Sequence, residues 1–161
     1  GEVVLDHLDE EEKSVFRRRK IGFIFQNYNL APMLNIYENI VFPLTLDGRK
    51  PDEELLRSII SFLRLEDLLD AFPGELSGGQ QQRAAIARAL IAKPPVVLAD
   101  EPTGNLDTIA GRDVMALLRM MSKKYGQTVV MITHNEELAQ MADQIIRLED
   151  GKIVGEHHAG E

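Results

Sequence analysis

Four polar side chains in this sequence have the chemistry that phosphoryl transfer requires, and each follows a run of apolar residues. Asp100 and Glu101 come after one run, His134 after another and Gln26 after a third. An Asp carboxylate suits Mg²⁺, which prefers oxygen ligands. A neighbouring Glu can orient or deprotonate an attacking water, and a His can hydrogen-bond a phosphate oxygen that gains charge in the transition state.

The apolar runs at residues 21–25, 96–99 and 128–133 have the length of strands. Continuous runs of this kind are typical of strands buried on both faces of a parallel sheet, and residues 3–5 form a shorter candidate. A helical apolar stripe at residues 114–121 separates the second and third runs, which predicts a βαβ unit with parallel strands. Because ligands bind at the carboxyl ends of parallel strands, the polar residues are predicted to share one site.

A second phosphate-seeking element is predicted where a helix begins after Ser77. Gly78 and Gly79 expose backbone N–H groups there, and the helix dipole adds positive potential. Ser77 and Gln80 have the spacing of a capping box, and the alanine-rich residues up to 92 favour a helix. A Ser-Gly-Gly turn alone is usually only a loop, and its specificity comes from the helix that follows.

Further local patterns organise the rest of the chain. An acidic run at residues 9–12 and a basic cluster at residues 17–20 predict a solvated helix face with pairs of its own. Pro43 and Pro73 are interpreted as loop positions. The Asp-Gly pair at residues 150–151 lies between two apolar segments and predicts a β-hairpin.

Composition excludes several classes of function. The 161 residues carry 18 Lys and Arg against 26 Asp and Glu, a net charge of −8, which is unsuited to neutralising nucleic-acid phosphates. The absence of cysteine excludes disulfides, thiolate metal sites and cysteine nucleophiles. No apolar stretch is long enough to span a bilayer, and no secretory leader is recognised, so a cytoplasmic location is expected.

Taken in order, these motifs resemble those of the ATP-binding cassette (ABC) ATPase family. The matching segments are the Q-loop Gln26, the signature at residues 76–80, the Walker B strand at residues 96–101, the D-loop at residues 104–107 and the switch His134. The resemblance extends from Gly1 to about Val154. Residues 16–30 and 100–107 further resemble the branch that serves macrolide-export and lipoprotein-release transporters.

The resemblance implies a role for each matching position. Glu101 would polarise the attacking water, His134 would contact the γ-phosphate of ATP, and Asp100 and Gln26 would bind Mg²⁺. The resemblance also implies a head-to-tail dimer in which the signature of one subunit contacts the nucleotide of the other. The residues assigned to that dimer contact are Ser77, Gly78, Gly79 and Gln80, with Asp107 at the interface.

The implied fold is α/β, a P-loop NTPase-like, mostly parallel sheet flanked by helices, with an inserted α-helical subdomain. The predicted catalytic core comprises residues 1–26 and about 93–161, and the helical subdomain comprises about 27–92. By resemblance, the helical subdomain contacts a membrane permease, which would place the protein at the inner face of the cell membrane.

One family motif is missing from these 161 residues. No G-x-x-x-x-G-K-[ST] string occurs, although this P-loop cradles the β- and γ-phosphates in the family. The chain is therefore expected to represent a cassette without its N-terminal part, with an incomplete sheet that exposes apolar surface and unpaired backbone groups. We expect these residues alone to hydrolyse ATP negligibly and to be prone to self-association.

Two other functions compete with that of a transport ATPase. A degenerate cassette would dock a permease or a competent partner without hydrolysing ATP, although the presence of Glu101 and His134 argues against a retired site. An ABC ATPase acting on DNA would carry a long coiled coil between Gln26 and Ser77. The segment shows no sustained heptad repeat, and the charge is acidic, so no nucleic-acid partner is expected.

Overall fold

The computed structural model describes residues 8–158, and the strand expected at residues 3–5 lies outside them. Three parallel strands form the central sheet in the order β1-β2-β3: β1 (Ile21–Ile24), β2 (Val96–Asp100) and β3 (Thr128–Ile132). All three correspond to the apolar runs of the sequence. The α/β class and the parallel crossover between β2 and β3 are therefore confirmed.

Six α-helices accompany the strands in the described part of the chain. They are α1 (Glu10–Lys20), α2 (Ile36–Thr45), α3 (Glu53–Phe62), α4 (Gly78–Ile91), α5 (Thr108–Tyr125) and α6 (Glu136–Ala139). Short 3₁₀ turns at Glu66–Leu68 and Pro73–Glu75 connect α3 to α4. No helix within residues 8–158 has the length and hydropathy of a membrane span.

Helix α4 lies directly against the sheet because small residues face each other at the contact. The capping box predicted from the sequence is present: Ser77 accepts from the Gln80 N–H, and the Gln80 side chain accepts from the Ser77 N–H. A Cβ atom added to Gly22 of β1 would lie 2.5 Å from the backbone oxygen of Ala89. Only glycine therefore allows this approach of β1 to α4.

The hydrophobic core lies on the α4 side of the sheet. Its buried residues come mainly from α2, α3, α4, α5 and the first two strands, and Ile86 and Leu90 of α4 are fully buried. On β3, by contrast, Val130 and Ile132 are exposed. Strand β3 pairs only with β2 among the described strands, so the sheet presents apolar surface there, in line with the sequence expectation.

The predicted hairpin is also present. It pairs β4 (Gln144–Glu149) with β5 (Lys152–His158) in antiparallel register. Asp150 and Gly151 form its turn, with φ of 48° and 74°. Two positive φ angles in a two-residue loop match the twist of the flanking strands, which is why an Asp-Gly pair forms this turn.

The loop interpretation of Pro43 was wrong. Pro43 lies inside α2, near its C-terminal end. Its missing N–H removes one hydrogen bond from the helix. The helix nevertheless continues around it, because Ile40 and Leu44 of the same helix are buried in the core.

Helix α1 was expected to pair its basic residues with its own acidic residues. Among the described residues, one ion pair of this kind is present. Lys13 pairs with Glu10 within the helix. Arg18 and Arg19 instead both bind Asp47, which follows α2. The hydrogen bond from Arg19, together with that from Arg18, lowers the pKa of the Asp47 carboxyl.

Candidate functional site

Glu101 lies where β2 ends and is held by the loop that follows β3. Its backbone N–H donates to the carbonyl of Ile132 at 2.9 Å, and its φ is 45°. One carboxylate oxygen, Oε1, accepts from the His134 backbone N–H at 2.8 Å and lies 2.7 Å from His134 Nδ1. The other, Oε2, accepts from the Thr133 hydroxyl at 3.3 Å. The fold thus brings the two predicted catalytic side chains into direct contact.

The two partners differ in their access to solvent. The Glu101 side chain is 15% exposed, whereas that of His134 is 85% exposed. Because Nδ1 faces the carboxylate, Nε2 is the ring atom left for another ligand. Within residues 8–158 no hydrogen bond engages it. An acceptor-rich carboxylate and an outward imidazole are therefore presented side by side at the strand ends.

Thr133 is the residue of this cluster that sequence reasoning missed. It donates to Glu101, and its oxygen also accepts from the backbone N–H of Asn135, the N-cap of α6. Its position directly before His134 at the end of β3 was the available signal. Thr133 therefore connects the Glu101 carboxylate to the start of α6.

Asp100 and Gln26 occupy the same edge of the sheet but do not bind each other. Strand β1 aligns Ile24 with Ala99 of β2, so the chains continue in parallel towards Gln26 and Asp100. Both side chains are exposed, and neither makes a hydrogen bond with another residue in the described part of the chain. Their oxygens remain available to a ligand.

The N-terminus of α4 is close to the loops after β1 and β2. A Cβ atom on Gly78 would lie 2.8 Å from the Tyr28 hydroxyl, and one on Gly79 would lie 3.3 Å from the carbonyl of Asn105. The Asn105 side chain also reaches the Gln26 carbonyl, at 3.5 Å. The signature, the D-loop and the segment after Gln26 therefore meet at one place.

Two of the N–H groups at this helix start remain open. Ser77 and Gln80 use their N–H groups in the capping box. Among the described residues, no hydrogen bond uses the N–H groups of Gly78 and Gly79. Free N–H groups at a helix N-terminus attract anions such as phosphate, because the helix dipole adds to their positive charge.

Asp107 has a structural role in this arrangement. It is the N-cap of α5, and its carboxylate accepts from the Ala110 N–H at 2.8 Å. No described contact joins Asp107 to the signature segment at residues 76–80; the D-loop touches that segment through Asn105 and Leu106 instead. The prediction that Asp107 lies at a subunit interface involves a second chain and stays a prediction.

The residues present could bind Mg²⁺ only if a bound ligand supplied part of its coordination. Within residues 8–158 no group of three or more His, Cys, Asp or Glu side chains could by itself hold a metal ion. Mg²⁺ is usually held by one or two carboxylates together with substrate phosphates and water. Asp100, with the Gln26 amide oxygen on the neighbouring strand end, is such a donor set.

Comparisons with known proteins point to one family. Residues 1–104 match the family model described as ABC transporter. The chain is 43% identical over 164 residues to an uncharacterised ABC transporter ATP-binding protein of Methanocaldococcus jannaschii, MJ0796, covering 95% of this chain and 70% of that protein. It is 40% identical to the macrolide export ATP-binding/permease protein MacB of Syntrophobacter fumaroxidans, covering 99% of this chain but 23% of MacB.

A solved structure has the same fold. The dimeric structure of the ATP-binding cassette MJ0796 in a post-hydrolysis state, bound to ADP and Pi, superposes with a TM-score of 0.87 at 40% sequence identity. The match covers 97% of this chain and 70% of that one. The likeness therefore extends over nearly all of the present chain.

Proposed function

Since this chain belongs to the ABC transporter family, we propose that it is the ATP-binding part of a transport ATPase that drives export or lipoprotein release. The observation that carries the proposal is the contact of Glu101 with His134 at the ends of β2 and β3, at 2.7 Å. This contact supports the proposal because a carboxylate able to act as a base and an imidazole able to donate a hydrogen bond to phosphate then lie together at the sheet edge where ligands bind.

The two oxygens of Glu101 have different parts in this proposal. Oε1 is engaged by two donors of His134, whereas Oε2 has only the longer contact with the Thr133 hydroxyl. Oε2 is therefore the atom that orients and deprotonates the attacking water. His134 donates from Nε2 to the phosphate that gains charge, while its Nδ1–H continues to donate to Glu101 Oε1.

ATP and Mg²⁺ are the proposed ligands. Bound Mg²⁺ would neutralise developing phosphate charge, and Asp100 and Gln26 would hold it. The N–H groups of Gly78 and Gly79 would bind phosphate oxygens of a nucleotide held by a second subunit. The MJ0796 neighbour is dimeric and bound to ADP and Pi, which supports a dimer and this ligand class.

A membrane permease is the proposed partner, contacted through the helical subdomain at about residues 27–92. The MacB relative, as its name states, combines an ATP-binding part and a permease in one protein. The proposal therefore includes a peripheral location of the present chain at the cytoplasmic face of a membrane. Export or lipoprotein release is proposed from the resemblance of residues 16–30 and 100–107 to that branch.

ATP hydrolysis by two proteins tests this function: the 161-residue chain, and a chimera that joins it to a P-loop segment from the M. jannaschii relative. We expect the chimera to hydrolyse ATP and the chain alone to be inactive, because the P-loop supplies most of the phosphate cradle. In the chimera, Glu101→Gln should lower kcat by about 100-fold or more while ATP binding by calorimetry persists.

Glu137→Gln is the matched control, since Glu137 is an exposed residue of α6 that does not touch Glu101. It should leave kcat within about twofold of the parent. A chimera that binds ATP, hydrolyses none and stimulates a competent partner would identify the degenerate cassette instead. Hydrolysis by the chain alone, insensitive to Glu101→Gln, would refute the assigned site.

A further inference from the structure

The segment after Gln26 adopts a backbone conformation that its own residues do not favour. Tyr28 and Asn29 have φ of 60° and 50°, in the left-handed region. Asn tolerates this region, but a bulky residue such as Tyr rarely enters it, because Cβ approaches the following carbonyl oxygen. Two such residues in succession persist only where the surroundings hold them in place.

Arg88 of α4 supplies that hold. Its guanidinium donates to the carbonyl of Tyr28 at 2.8 Å and to the carbonyl of Asn29. Arg88 is half-buried, and this desolvation lowers its pKa. A partly desolvated guanidinium without acceptors is unfavourable, so the two carbonyls and Arg88 satisfy one another.

The neighbouring segments are fixed by other means, which isolates the part that depends on Arg88. Upstream, β1 is anchored in the sheet as far as Ile24. Downstream, the buried Asn39 side chain accepts from the Ala31 N–H at 2.7 Å and donates to the carbonyls of Ala31, Leu34 and Asn35. Residues 25–30 connect these two anchors, and Arg88 forms hydrogen bonds with the backbone within this segment.

The left-handed pair has consequences at both ends of the bridge. It directs the Tyr28 hydroxyl to the place where a Gly78 Cβ atom would stand, 2.8 Å away. It also leaves the Gln26 carbonyl within 3.5 Å of the Asn105 side chain. Arg88 thus contacts a segment that touches both the start of α4 and the loop after β2.

We propose that Arg88 is a positioning residue that fixes the left-handed conformation of Tyr28 and Asn29 and thereby places Gln26 beside the signature and D-loop segments. Any consequence for Mg-ATP rests on the function proposed above, whereas the control of the loop conformation does not. Arg88 acts through the backbone of the loop and touches none of the reacting groups.

Amide hydrogen exchange on the 161-residue chain, read residue by residue by NMR, tests this proposal without nucleotide. In Arg88→Met, the exchange of the Tyr28 and Asn29 amides should accelerate by about tenfold or more, because the loop opens locally. The Gln26 and Asn27 amide resonances should shift, while exchange within α4 stays within about threefold of the parent. Arg88→Lys, which keeps a cationic donor, should restore most of the protection.

Arg83→Met is the matched control, since Arg83 lies on the same helix and makes no described contact with the loop. It should leave the exchange of Tyr28 and Asn29 unchanged. Equal acceleration everywhere in Arg88→Met would show a general structural role and overturn the proposal, as would unchanged loop exchange. If the parent chimera is inactive while Arg88→Met still accelerates loop exchange in the 161-residue chain, the proposed ATPase function is refuted. The positioning role of Arg88 then stands.

Discussion

Two regions of the central sheet position their functional residues by different means. They are the face of β1 and β2 that α4 covers (the α4 side) and the edge strand β3 with the loop that follows it (the β3 side). On the α4 side, β1 and β2 bury Ile24, Val97 and Ala99 beneath helices, and glycines allow backbones to touch. On the β3 side, every second residue is exposed, including Val130 and Ile132. The signature is therefore positioned by close backbone packing, whereas the contact of Glu101 with His134, like the segment after Gln26, is held by side-chain hydrogen bonds.

This difference indicates which part of the site tolerates change. Burial and steric exclusion leave few alternative arrangements, because protein interiors are close-packed. Hydrogen bonds near solvent exchange readily with water and contribute little net stability. The α4 side is thus the fixed frame of the molecule, and the contact between Glu101 and His134 can break and re-form without unfolding it.

Truncating one isoleucine on each side gives the largest expected contrast. Ile86 of α4 is 0% exposed, whereas Ile132 of β3 is 65% exposed. Ile86→Ala should lower the free energy of unfolding by about 2–5 kcal/mol through lost burial and a cavity. Ile132→Ala should lower it by about 0.5 kcal/mol or less. Urea unfolding measures both, and similar losses would contradict the comparison.

A glycine pair tests steric fit in the same way. In Gly22→Ala the new Cβ atom would lie 2.5 Å from Ala89 O and 2.9 Å from Pro94 Cγ, so strand and helix must separate. We expect a loss of about 1–3 kcal/mol in unfolding free energy from this overpacking. In Gly155→Ala, on the hairpin, the nearest atom would be His157 Nε2 at 3.7 Å. That variant should unfold within about 0.5 kcal/mol of the parent.

Elements whose signals are local were predictable from the sequence. The strands follow from short apolar runs, α4 from the capping box of Ser77 and Gln80, and the hairpin turn from Asp150 and Gly151. The strand ends then placed Glu101 and His134 near each other, because parallel strands share one edge. Their direct contact was not predicted, since it depends on the loop after β3.

Contacts between distant residues carried no comparable signal. Arg88 binds carbonyls of residues about sixty positions earlier, and the residue type of Tyr28 does not indicate a positive φ. The charge pattern predicts that Arg18 and Arg19 pair with the acidic run on their own helix, but both form ion pairs with Asp47. Charge patterning identifies a helix face and leaves open which partner the fold brings to it.

Two asparagine caps compare helices that differ in packing. Asn35 caps α2, which is buried against α4, and Asn135 caps the four-residue α6. Asn35→Ala should lower the free energy of unfolding by about 1 kcal/mol, since α2 belongs to the core. Asn135→Ala should cost about 0.3 kcal/mol or less, because α6 can fray without global unfolding. Urea unfolding measures both variants. If Asn135→Ala lowers the free energy of unfolding as much as Asn35→Ala does, the β3 side is as firmly fixed as the α4 side.

The charge pair at Asp47 adds a pH dependence to the α1–α2 contact. Its carboxyl pKa is lowered in the folded protein, chiefly by the hydrogen bond from Arg19 and then by Arg18. A lowered folded pKa stabilises the protein above the unfolded value, about 3.9 for Asp, and the stabilisation is lost as the pH falls through the folded value. Asp47→Asn should therefore unfold more easily than the parent at neutral pH, and the difference should shrink in acid.

Urea unfolding of Asp47→Asn and its parent across acidic and neutral pH measures this convergence. Asp113→Asn is the comparison variant, because the ion pair of Asp113 with Arg64 is open to solvent on both sides. Exposed pairs are screened and contribute little, so its loss at neutral pH should be the smaller of the two. Parallel curves for Asp47→Asn and the parent would mean that Asp47 joins α1 to α2 through shape, with no contribution from its charge.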